Sequence, residues 1–147
     1  MKVTKSHRPF QHILSYVLIS VIAISVISCA RKTSFLTSPV VPAARGDVTV
    51  KSDKNKNYVI HVQLSGLAEV ERLQPSKNAY VVWMETDRNV TKNLGQITSS
   101  SGTFSQNLKA SFETVSSEKP TKIFITAEND PSIQYPGTQV VLSTDRF

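Results

Sequence analysis

From residue 46 onward, apolar residues recur at every second position rather than every third or fourth. Val48 and Val50 alternate with Thr49 and Lys51, and Tyr58, Ile60, Val62 and Leu64 alternate with Val59, His61, Gln63 and Ser65. A period of two belongs to a strand with one face buried. Between these runs lies Ser52-Asp53-Lys54-Asn55-Lys56-Asn57, polar and turn-forming, and Ser65-Gly66 closes the second run. Residues 79–86 differ, because Tyr80, Val82 and Met84 share one face while Val81 and Trp83 share the other. Both faces stay apolar until Glu85, which predicts a central strand covered on both sides. Further strands are predicted at 94–99, 103–112, 122–128 and 139–144, punctuated by Gly102, Pro120, Pro131, Pro136 and Gly137. With seven short strands and no sustained helical period, residues 46–147 are expected to form an all-β domain, a single Ig-like antiparallel β-sandwich.

The first 28 residues follow another pattern. Lys2, Lys5 and Arg8 precede residues 13–27, where only Ser15, Ser20 and Ser25 interrupt the apolar run apart from the half-polar Tyr16. Such a run suits either a spanning helix, which needs ~20 apolar residues, or the core of an export signal, which needs ~7 to 15. Its ending, Val26-Ile27-Ser28-Cys29, resembles the lipobox of bacterial lipoproteins, with an aliphatic residue three before the cysteine and a small one directly before it. That resemblance implies cleavage after Ser28 and a new N-terminus, Cys29, carrying diacylglyceryl on its sulfur and a palmitate-type chain on its amine. A thiolate suits the acyl-glyceryl transfer, and a small Ser28 leaves the scissile bond accessible. The competing reading is an uncleaved signal-anchor helix that happens to end in a cysteine. A sole cysteine excludes an intramolecular disulfide.

The expected organisation is therefore a signal peptide at 1–28 with a helical apolar core, a lipidated flexible tether at 29–45, and the sandwich at 46–147. The tether reading rests on Ser38-Pro39, Pro42, Ala43 and Ala44 and on the lack of periodicity there. Arg31 and Lys32 lie beside the anchor point, where each either gains ~1 kcal/mol from anionic headgroups or stays a solvated charge. The net charge of +6 does not point to nucleic acid. Three positive charges lie in the signal and three more are Arg31, Lys32 and Arg45, while from residue 46 onward 11 Lys and Arg face 11 Asp and Glu. The basic footprint of a nucleic-acid binder is missing from that count.

Chemistry finds few footholds. His61 is the one histidine after residue 28, and beside Val59 and Gln63 it reads as a solvated strand residue rather than a metal ligand or a triad member. Glu85 with Asp87, and Glu128 with Asp130, are carboxylates two apart at strand ends, suited to a Ca²⁺ ion or an acid and base pair, yet without further oxygens beside them; turn-flanking charge is the plainer reading. Tyr80 and Trp83 suit a sugar platform if exposed and a core if buried. Asn89-Val90-Thr91 fits a glycosylation sequon, a chance match in a bacterial lipoprotein. No catalytic, cofactor-binding or metal residues are assigned and no enzyme is expected; Cys29, as a lipidation site, is the only site residue.

A second resemblance spans roughly residues 48–143. Ala79-Tyr80-Val81-Val82-Trp83-Met84, Asn93-Leu94-Gly95, Ile123-Phe124-Ile125-Thr126-Ala127-Glu128 and Pro136-Gly137-Thr138-Gln139-Val140-Val141-Leu142 are similar to the extracytoplasmic C-terminal domain of anti-sigma-K factors. The sequence departs from that family in lacking a sigma-binding helical domain ahead of it, and Glu128-Asn129-Asp130-Pro131-Ser132 replaces the usual Glu-Pro-x-Gly-Gly loop. The resemblance implies a fold and an extracytoplasmic place, without direct sigma-factor binding. Three functions are compatible: a noncatalytic membrane-anchored interaction or sensory module, an accessory regulator of a sigma/anti-sigma system, and a small exported glycan-binding or hydrolytic protein. The first is favoured because it needs no active site. Its partners would be the membrane, through lipid on Cys29, and another extracytoplasmic protein. It would face the periplasm or cell surface, and Ala30 after Cys29 favours an outer membrane where there are two.

Overall fold

The described residues form nine strands: β1 (Ala30–Ser34), β2 (Arg45–Ser52), β3 (Tyr58–Leu67), β4 (Ala79–Thr86), β5 (Thr91–Gln96), β6 (Ser99–Ser100), β7 (Leu108–Ser116), β8 (Pro120–Glu128) and β9 (Val140–Ser143). The computed structural model describes residues 30–97, 99–100 and 108–147. The signal segment, Cys29, Gly102 and the first half of the strand expected at 103–112 lie outside the described residues.

All pairings are antiparallel. They build one sheet in the order β1-β2-β3-β7-β6 and a second in the order β5-β4-β8-β9. With β2 to β9 taken as A, B, C, C′, D, E, F and G, the sheets read A-B-E-D and C′-C-F-G, the strand order of an immunoglobulin-type sandwich, with β1 added outside A. Register follows burial: Val48 lies opposite Val62 and Val50 opposite Ile60 in one sheet, and Val82 opposite Ile125 and Met84 opposite Ile123 in the other. These residues form a single core between the sheets. Their alternation fixes it, since a one-residue slip would turn each buried side chain outward.

The other face of β4 is apolar as well. Val81 and Trp83 pack there with Phe124 of β8, under Ile133 from the connection between β8 and β9. Trp83 and Phe124 stack with centroids 6.3 Å apart and planes 14° from parallel. β4 is thus covered on both sides, by the facing sheet on one and by a connecting segment on the other.

Residues 30–45 correct the expectation of a flexible tether. Ala30 to Ser34 pair with Lys51 to Asp47 along the outside of β2. Phe35 is buried, donates its N–H to Gly46 and bridges to Thr144, while Leu36 donates to Ser143 of the opposite sheet. Ser38 Oγ then accepts the N–H of Val40 at 3.2 Å and of Val41 at 2.9 Å, closing a turn that buries Val41 and Ala44. The prolines do exclude a helix here, but Ser38 supplies the acceptor that a compact turn needs. Strand limits also move: the strand expected at 94–99 runs as Thr91–Gln96 with a separate short Ser99–Ser100, and the one expected at 103–112 is observed as Leu108–Ser116.

Candidate functional site

Trp83 and Tyr80 point to opposite faces of β4, so they form neither an exposed platform nor a joint aromatic pair. Tyr80 enters the inter-sheet core and its hydroxyl donates to Ala68 O at 3.0 Å. Burial, with Glu71 adding negative charge nearby, pushes its pKa up to about 12. Trp83 is fully buried on the outer face, and its Nε1–H donates to Thr126 Oγ1 at 2.8 Å. Thr126 in turn donates to Glu128 Oε1, which also accepts the Gly137 N–H at 2.8 Å. Indole, hydroxyl, carboxylate and backbone amide thus form one chain across the second sheet.

Glu128 is therefore not a turn-flanking surface charge. It is 5% exposed. A Cβ added to Gly137 would stand 2.7 Å from Glu128 Oε2, so the carboxylate requires glycine at that point. Asp130 has separate partners, the N–H and hydroxyl of Ser132, which hold its carboxyl below the usual value. Asn93 donates to Pro131 O and Ile133 O at 2.9 and 2.8 Å, tying β5 to the segment that roofs Trp83.

The other two carboxylates near a turn also diverge. Glu85 is bound by Lys122 at 3.4 Å and Arg146 at 2.7 Å, whereas Asp87 is exposed and enters no ion pair among the described residues. Glu118, which pattern reading passed over, receives Arg88 and Lys92, both at 2.9 Å, and its carboxyl is held low chiefly by Lys92. His61 lies on the open face of the first sheet, with Nδ1 3.1 Å from Glu113 and Nε2 3.2 Å from Gln63. Thr49, His61 and Glu113 lie side by side across β2, β3 and β7. Among the described residues no group of three or more His, Cys, Asp or Glu is placed to hold a metal ion, and no helix is long and apolar enough to cross a membrane.

Two concavities are informative. One, of about 490 Å³, lies at the β2 start, where Arg45, Asp47, Gln63, Ser65, Lys109 and Ser111 line a shallow polar trough. The other, of about 240 Å³, lies at the opposite end, where Arg31, Tyr58, Lys119 and Phe147 meet around Val50 and Pro120. Arg31 reaches it because β1 pairs Arg31 with Val50. No sequence signal announces this meeting, since its members come from four separate parts of the chain. Compared with protein-family models, curated proteins and solved structures, the chain matches none of them.

Proposed function

We propose that the protein is a lipid-anchored extracytoplasmic module of a bacterial membrane, attached through Cys29 and acting by contact with another protein rather than by catalysis. The observation that carries the reading is the junction itself: the lipobox-like Val26-Ile27-Ser28-Cys29 ends one residue before β1 begins at Ala30. Mature lipoproteins start at the acylated cysteine, so cleavage there would leave a complete sandwich with no stray apolar leader. The side chains best suited to chemistry also have structural partners, Glu128 in the Trp83 chain, Glu85 and Glu118 in ion pairs, and His61 beside Glu113. Such commitments favour a binding surface over an active site.

The test is metabolic labelling with fatty acid. Wild type is expected to take up label and to run as a shorter mature form, and Cys29→Ala to do neither. Unlabelled wild-type protein retaining Met1 in the membrane fraction would make the apolar segment a signal anchor instead.

The four stretches similar to anti-sigma-K domains lie in β4, β5, β8 and the approach to β9, all in the second sheet. Their convergence supports a more specific reading, an accessory that pairs with a like domain on a membrane regulator. Copurification of such a regulator with the wild-type protein from crosslinked cells tests it.

A further inference from the structure

Charge along the sandwich is unevenly placed, although residues 46–147 balance overall. The end where β1 starts gathers the β2–β3 turn, the β4–β5 turn, the β7–β8 turn and the last residues of the chain. The pairs Ala30 with Lys51, Ser52 with Tyr58 and Thr86 with Pro120 bring these together, as do the bonds from Asp87 N–H to Lys119 O and Phe147 N–H to Thr121 O. Nine Lys and Arg stand at this end against five Asp and Glu, whereas the remainder of residues 30–147 holds five against six. Arg88, Lys92, Lys122 and Arg146 are taken up by Glu118 and Glu85. Arg31, Lys51, Lys54, Lys56 and Lys119 are exposed and form no ion pair among the described residues.

The turn carrying two of these lysines is preset. Asp53 accepts the N–H of Asn55 and of Asn57, both at 2.8 Å, and the Asn57 side-chain amide at 3.1 Å. Its carboxylate is thereby engaged by the backbone, and Lys54 and Lys56 project from a closed loop. In the neighbouring turn Val90 is 46% exposed.

The anchor point belongs to the same end. In the sequence Cys29 directly precedes Ala30, a residue already paired in the sheet with Lys51. At physiological ionic strength exposed charges act over about 8 Å, so only those facing a bilayer closely would feel it.

We propose that this end, through Arg31, Lys51, Lys54, Lys56 and Lys119, is a docking surface for anionic phospholipid headgroups that holds the sandwich upright on the membrane. The proposal rests on lipid attachment at Cys29. Charge complementarity and the place where the chain leaves the sheet both select the bilayer as occupant.

The test uses the full chain purified from membranes with its lipid and reconstituted into vesicles of phosphatidylcholine alone or mixed with phosphatidylglycerol. A fluorophore is placed at Asn55→Cys or, at the far end, at Ser76→Cys, with a nitroxide quencher in the headgroup layer. Quenching at residue 55 is expected to exceed that at residue 76 several-fold in the anionic vesicles. It should fall with high salt and in a variant carrying K54E, K56E and K119E that remains attached. Equal quenching at both sites, or undiminished quenching in the charge-reversed variant, overturns the docking surface while normal fatty-acid labelling leaves the lipoprotein reading standing. Absence of fatty-acid label overturns both.

Discussion

Trp83 shows how far a single residue can be read. Alternation in β4 places apolar residues on both faces, and the structure buries Trp83 completely on the face away from the inter-sheet core. Trp83→Ala should cost ~3 to 5 kcal/mol in chemical denaturation. Trp83→Phe keeps most of the packing and loses the indole N–H, and should cost nearer ~1 kcal/mol. A midpoint unmoved by Trp83→Ala would put the ring at the surface. The cover over Trp83 was not legible, because Ile133 and Asn93 belong to no periodic run. Nor was the burial of Glu128, since its partners Thr126 and Gly137 are a strand neighbour of ordinary type and a glycine nine residues on that reads as turn punctuation.

At the scale of elements, the sandwich was legible wherever inward positions are apolar, and β1 was missed because they are not. Its residues opposite Val50 and Val48 are Arg31 and Thr33, polar side chains at the margin of the sheet. The segment after it is read as a spacer from its prolines, yet it buries Phe35, Val41 and Ala44 and spans from one sheet to the other. Residues 30–45 are therefore paired and packed with the sandwich of residues 46–147. A chain starting at Gly46 should melt well below one starting at Ala30, and Phe35→Ala alone should remove ~3 kcal/mol or more. Identical melts for the two chains would return residues 30–45 to the status of a spacer.

The whole molecule responds to pH from both sides. Asp47, Asp53, Glu118 and Asp130 are held below the usual carboxylate range by hydrogen bonds from Ser34, Asn57 and Ser132 and by Lys92 and Lys32. The folded chain thus binds fewer protons than the unfolded one near pH 4, so this stability is present above that region and is lost as pH falls through the folded values. Tyr80 acts oppositely: raised from 10.0 to about 12, it contributes fully below 10 and loses its contribution as pH rises through 12. That alkaline loss is on the order of 2 kcal/mol. The urea midpoint should decline at both extremes, and Tyr80→Phe should flatten the alkaline limb; an unchanged limb would assign it to other groups. The neutrality of residues 46–147, evident from counting, concealed an uneven distribution that only strand pairing could reveal. With lipid attached at Cys29 as proposed, the start of β1 at the very next residue would also set a working height. A free spacer of sixteen residues would let a domain roam up to ~50 Å above its anchor. β3, ten residues long, instead makes the sandwich about 30 Å tall. A protein anchored at Cys29 in this way would meet partners gliding in the same membrane plane, at a fixed altitude, and would leave those seated farther out beyond its grasp.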